Sequence, residues 1–149
     1  MIQRIQSIFL FLASGACFAM FGLPFASTDK AISDSTLFAD SAYTITDHIA
    51  LTILFAGAGA LALAAIFLFR NRPLQINLSR VAFIAAIIGF VLGIILFLND
   101  GIVEQSESMP EPADGFGAVL PVLAGIFLLL AIRYINKDEK LVKSSNRLR

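Results

Sequence analysis

Four long apolar stretches divide this chain, and its charged residues are sorted by sign on the two sides of them. The stretches lie at about 5–23, 49–69, 81–98 and 116–135. Each is close to the roughly 20 residues that a helix needs to cross a hydrocarbon core of about 30 Å. No length remains for a soluble domain among the 149 residues. The sequence therefore predicts one all-α domain over 1–149, an integral membrane four-helix bundle.

The charge distribution predicts how this domain is oriented. Ten of the eleven Lys and Arg residues fall near the N-terminus, at 70–80 or beyond residue 132, whereas nine of the eleven Asp and Glu residues fall at 24–48 or 99–115. Short cytoplasmic segments of membrane proteins carry the excess of Lys and Arg. We therefore expect outer loops at 24–48 and 99–115, an inner loop at 70–80, a cytoplasmic tail at 136–149, and both termini in the cytoplasm.

Residue types that carry chemistry are scarce. The apolar stretches contain no Asp, Glu, Lys, Arg or His except Arg133 near the inner end of the fourth, and such side chains usually mark proton relays and substrate sites. The single cysteine, Cys17, cannot form a disulfide within the chain, and one histidine cannot ligate a haem from both sides. The sequence predicts no enzyme, no cofactor, no metal ligand and no nucleic-acid partner.

Two polar features of the outer side have alternative interpretations. His48 could be a pH-sensitive contact or a lone ligand to a partner's metal, but a residue at a helix end is the favoured interpretation. Carboxylates of the second outer loop could chelate a hard cation, although a solvated acidic loop is favoured because prolines interrupt it. These carboxylates are Glu104, Glu107, Glu111 and Asp114.

Small residues recur at four-residue spacing within the first three stretches. Because lipid tails are as apolar as Leu, membrane helices associate through close contact, which small residues allow. The expected packing positions are Gly15 and Ala19, then Ala56, Ala60 and Ala64, then Ala85, Gly89 and Gly93.

The C-terminal segment combines basic residues with an apolar face. Leu141, Val142 and Leu148 fall on one side of a helix drawn through it. We expect a short amphipathic C-terminal tail helix that continues the fourth span or lies along the membrane surface; a disordered basic tail is the alternative. The expected contacts with a partner or with anionic lipid are Arg70, Arg72, Arg80, Arg133, Lys137, Lys140, Leu141, Val142, Lys143 and Leu148.

The two ends of the chain also resemble a known family. Met1-Ile2-Gln3-Arg4-Ile5-Gln6 and Lys137-Asp138-Glu139-Lys140-Leu141-Val142-Lys143-Ser144 are similar to domain-of-unknown-function family 4293, small four-span membrane proteins of Bacteroidetes-type bacteria. The resemblance implies a multi-pass protein of a Gram-negative inner membrane, and it supplies no activity and no site residues.

Together these observations favour a non-catalytic inner-membrane subunit or assembly factor. Its partners would be membrane lipids and either another inner-membrane protein or a second copy of itself. The alternative is a small oligomeric channel or facilitator, whose polar path would have to use Thr52, Ser14 and backbone groups.

Overall fold

The computed structural model describes residues 2–28, 37–99, 113–114 and 116–146, which form four helices and three very short strands. The helices are α1 (Ile2–Ala19), α2 (Ile49–Phe67), α3 (Arg72–Asn99) and α4 (Leu120–Asn146), and a 3₁₀ helix, Phe116–Val119, leads into α4. Three helical stretches are long and apolar enough to cross a membrane: α2, α3, and the 3₁₀ helix with most of α4. The prediction of an all-helical protein with four main helices is confirmed.

The four helices form a closed array. Extensive interfaces join α1 to α2, α2 to α3, α3 to α4, and α4 back to α1. Helices α1 and α3 are therefore diagonal to each other. Large apolar side chains from three of the helices, including Leu10, Leu51, Phe55 and Leu128, are fully buried between them.

Helix α1 is shorter than the apolar stretch at 5–23. It ends at Ala19, and the next residues form tight turns in which the Phe21 and Gly22 amides donate to the Phe18 and Ala19 carbonyls, both at 3.1 Å. Hydrogen bonds of this i to i+3 type tighten and close a helix end. The apolar part of α1, Ile5–Ala19, is shorter than the other three stretches.

The predicted inner loop at 70–80 is corrected by the structure. Helix α3 begins at Arg72, which shortens the connection between α2 and α3 to four residues. Pro73 lies in the first turn, where its missing N–H costs nothing. The Asn71 side chain accepts a hydrogen bond from the Leu74 amide at 3.4 Å and so occupies a capping position. Most of the predicted loop is the first two turns of α3.

A small antiparallel sheet lies at the opposite end of the array from this connection. Its strands are β1 (Ala26–Ser27), β2 (Ala42–Tyr43) and β3 (Ala113–Asp114), in the order β2-β1-β3. In the register, Ala26 is opposite both Tyr43 and Asp114. The sequence did not predict this sheet, because two-residue strands are too short to show an alternating pattern. The sheet joins the two segments that the sequence assigned to separate outer loops.

Helix α4 continues without a break through most of the predicted tail, to Asn146. The tail helix is therefore an extension of α4 and not a separate surface helix. Ring contacts of Phe9 with Phe127 and Tyr134, at centroid distances of 6.4 and 5.5 Å, show that the first half of α1 lies against the middle of α4.

Candidate functional site

The end of the array where α2 finishes and α3 starts is called here the basic end, and it carries Arg70, Arg72, Lys137 and Lys140. An ion pair between Arg72 Nη2 and Asp138 Oδ2, 3.0 Å apart, brings the start of α3 against the extension of α4. The opposite end, which carries strands β1–β3, is called the sheet end.

The structure places most of the predicted contact residues on open surface. The exposed basic residues are Arg70, Arg80, Arg133, Lys137 and Lys140. Leu141 and Val142 are 49% and 41% exposed, although earlier residues of the same helix, α4, pack against α1 and α3. Lys143 belongs to the same helix, and Leu148 lies outside the described residues.

Arg72 differs from the other predicted contact residues. Its side chain is only 20% exposed and that of its partner Asp138 only 14%, so Arg72 is a structural ion-pair residue and not a freely available cation. Removing one member of a largely buried pair leaves an uncompensated charge. The pair therefore holds the extension of α4 against the start of α3. The Ser144 side-chain hydroxyl donates to the Leu141 carbonyl at 2.8 Å.

Two buried glutamines near the basic end were missed by the sequence reasoning. Gln6 and Gln75 are both fully buried, and their amide nitrogen and oxygen atoms have no hydrogen-bond partner among the described residues. Next to them, the buried Ser79 hydroxyl donates to the Gln75 backbone carbonyl at 2.8 Å. Neither glutamine is ionisable, and a Gln close to the start of a helix is usually expected to be exposed to solvent.

The predicted packing positions agree with the structure only in α3. Gly89 and Gly93 are buried, and a Cβ added at Gly89 would lie 3.0 Å from the Phe55 ring, so α3 approaches α2 closely at Gly89 and a side chain there would have to displace this ring. By contrast Gly15 and Ala19 on α1 are exposed, and a Cβ at Gly15 would meet nothing within 4 Å.

A similar correction applies to α2, where the predicted stripe is on the wrong face. Ala60 is exposed, and Ala56 and Ala64 are half-buried, as is Ala85 on α3. Besides Gly89 and Gly93, the buried small residues include Ala13 and Ala16 on α1; Ala58, Gly59, Ala62 and Ala65 on α2; and Ala82 and Ala86 on α3, and the half-buried Ala85 packs against this core. Because small residues are frequent on every side of these helices, spacing alone could not select the contact face.

The sheet end contains an apolar cavity of about 230 Å³. On one wall, the Tyr43 hydroxyl donates to the Gly93 carbonyl at 3.0 Å, and the Tyr43 ring packs against those of Phe25, Phe38 and Phe97. The lining is formed by Phe25, Ala26, Tyr43, Phe90, Gly93, Ile94, Phe97 and Ala118. Such a lining suits hydrocarbon and offers little that could direct a reaction.

The remaining polar features have structural roles or lie outside the described residues. His48 caps α2, with Nδ1 accepting from the Ala50 amide at 3.3 Å, and Asp47 accepts from the Thr44 amide at 2.6 Å. Glu104, Glu107 and Glu111 are outside the described residues, and Asp114 is in β3. Within the described part of the chain, no group of three or more His, Cys, Asp or Glu residues could hold a metal ion.

The sequence model of the DUF4293 family, described as a domain of unknown function, matches residues 2–148. No curated protein matches the chain. No solved structure matches it either.

Proposed function

The chain belongs to the DUF4293 family, and from that premise we propose that it is a non-catalytic subunit or assembly factor that binds another membrane protein. In this proposal it is a four-span protein of a bacterial inner membrane with both termini in the cytoplasm. The sorting of charge supports the orientation, because the basic end would face the cytoplasm and the sheet end the outer side.

In this proposal α1 also crosses the membrane, which brings the number of spans to four. Its 18 residues correspond to about 27 Å at 1.5 Å per residue, and the turns after Ala19 extend the apolar segment. Its exposed side chains are also those of a lipid-facing helix, including Ile8 and Phe11. The helix is flanked by α2 and α4, so a membrane around those two helices would also surround α1.

The exposed apolar pair Leu141 and Val142 is the observation that carries the proposal. The Arg72–Asp138 ion pair fixes the helix that presents this pair, so the surface is formed before a partner binds. Ordering entropy is then small, which favours binding. Lys137 and Lys140, both exposed, flank the pair and favour a partner with acidic residues at the cytoplasmic membrane surface.

A channel through a single chain receives less support from the packing. The side chains of Leu10, Leu51, Phe55 and Leu128 are fully buried and occupy the space between helices. Thr52, which a polar path would need, donates instead to the Ile45 carbonyl at 2.8 Å beside the start of α2.

The test of partner binding is a comparison of two variants of the full chain. Mild-detergent purification followed by mass spectrometry should find one stoichiometric membrane partner with the parent chain. The double substitution Leu141→Asn and Val142→Asn should abolish co-purification at unchanged membrane content. The matched control is Leu129→Asn, which alters an exposed apolar residue of the same helix further from the basic end. Equal loss with both variants, or with neither, contradicts a docking role for this surface.

The orientation can be tested separately by cysteine labelling. The only native cysteine, Cys17, is buried, so new cysteines can be introduced at exposed positions against a quiet background. An impermeant maleimide applied to spheroplasts should label Asp40→Cys but not Lys137→Cys, and disruption of the membrane should expose both. Labelling of Lys137→Cys in intact spheroplasts contradicts the proposed orientation.

A further inference from the structure

Gln6 and Gln75 lie at the same level of the helix array. Gln6 precedes Phe9 by about one turn, and Phe9 stacks on Tyr134. Gln75 follows Arg72 by about one turn, and Arg72 meets Asp138. Gln6 is therefore one turn closer to the basic end than Phe9, and Gln75 is one turn further from it than Arg72. Both positions are level with the part of α4 around the buried Ile135. The two amides thus belong to one layer.

This layer places two side-chain amides in a mostly apolar interior. Each glutamine amide carries two N–H donors and one carbonyl acceptor, and no described protein group bonds to either amide. Buried polar atoms in folded proteins nearly always have a partner, supplied by protein or by ordered water. Two fully buried side chains with the same unmet requirement, at one level, point to a shared partner.

We propose that Gln6 and Gln75 form a buried water-binding site that links α1 to α3 near the basic end. The two helices are diagonal, with axes about 11–14 Å apart when neighbouring axes are 8–10 Å apart, and the two amides make no hydrogen bond to each other, which favours a bridging molecule. Water can donate to one amide and accept from the other, and buried waters typically make about three such bonds. The site is independent of the partner surface proposed above.

The position of the site also gives water a short route. Gln75 is one turn from Arg72, whose side chain is 20% exposed, so the layer lies one turn below the solvent-accessible basic end. The Ser79 hydroxyl already donates to the Gln75 backbone carbonyl. The groups that still need water as a partner are therefore the two side-chain amides.

The direct test is NMR on the full-length protein in lipid nanodiscs with ¹⁵N-labelled glutamine. The Gln6 and Gln75 side-chain amides should show magnetisation transfer from long-lived bound water. The transfer at Gln6 should fall at least threefold in Gln75→Met, and the transfer at Gln75 should fall likewise in Gln6→Met. Absence of transfer in the parent protein overturns the proposal and requires no variant to fold.

A double-mutant cycle provides the second test. Each single Met substitution should reduce the folding equilibrium constant about tenfold or more, because the other amide loses its bridged partner. The double variant should be at least threefold more stable than the product of the single effects predicts. Ser79→Ala is the control and should show no coupling to Gln6→Met. Independent effects overturn the proposal, and so does coupling without water transfer, which would indicate a direct amide pair.

Discussion

Substitution of Gly117 by Ala should disrupt the contact between the 3₁₀ helix and the segment that follows α1. Gly117 is buried, and its amide donates to the Pro24 carbonyl at 3.0 Å. An added Cβ would lie 2.3 Å from that oxygen and 2.6 Å from the Leu23 carbonyl oxygen. Both neighbours are backbone atoms, which cannot move aside by rotating a side chain, so one segment must shift.

The magnitude follows from two costs. Overpacking that displaces backbone costs about 1–3 kcal/mol, and the lost hydrogen bond contributes about 0.5–1.5 kcal/mol. We expect Gly117→Ala to lower the free energy of unfolding by about 1.5–4.5 kcal/mol in total, a factor of roughly 10–2,000 in the folding equilibrium constant.

The assay is reversible unfolding of the full chain in mixed micelles, followed by circular dichroism. Gly15→Ala is the matched control, since a Cβ there meets nothing within 4 Å and Ala is favoured over Gly inside a helix by about 0.5–1 kcal/mol. The control should therefore be as stable as the parent or slightly more so. A Gly117→Ala variant within about 0.5 kcal/mol of the parent would refute the packing of this segment on Pro24, since that contact alone sets the expected loss.

Three further substitutions test other contacts in the same unfolding assay. Arg72→Ala should lower the free energy of unfolding by about 1–3 kcal/mol, because Asp138 is left largely buried without its partner. Hydrogen exchange in the last two turns of α4 should also increase, and unchanged exchange would mean that the ion pair does not hold the extension. Tyr43→Phe should cost about 0.5–1.5 kcal/mol through loss of the bond to the Gly93 carbonyl, and no loss would contradict that bond. Gly89→Val should cost about 1–3 kcal/mol, because even one added carbon would press on an aromatic ring of α2; a neutral result would contradict the close approach of α2 and α3.

Hydropathy predicted the bounds of a helix correctly where polar residues immediately precede or follow the apolar stretch. Helix α2 begins at Ile49 as expected, because the polar residues before it act as caps and the apolar residues after it are continuous. Helix α3 begins well before its apolar stretch at 81–98, because the residues from Arg72 to Arg80 mix polar and apolar types. Hydropathy indicates where the apolar stretch begins and ends, whereas Asn71 and Pro73 determine where the helix starts.

The candidate site was predicted in part. The exposed basic residues and the pair Leu141 and Val142 follow from composition and helical period. The Arg72–Asp138 pair does not, because it depends on how α3 and α4 align. Gln6 and Gln75 are also hidden from sequence, because only the folded array shows that both amides point inward. The short strands escape for the same reason, since their pairing is set by residues far apart in the chain.

The unequal lengths of the helices bear on the bilayer that this protein would best fit. The apolar part of α1, Ile5–Ala19, corresponds to about 23 Å at 1.5 Å per residue, whereas the apolar stretch of α3 at 81–98 corresponds to about 27 Å. Hydrophobic mismatch of this kind is relieved by tilting the long helix or thinning the bilayer beside the short one, at a modest cost per ångström. The hydrophobic surface would then be slightly thinner at α1 than at α3, and lipids with shorter chains should gather around α1.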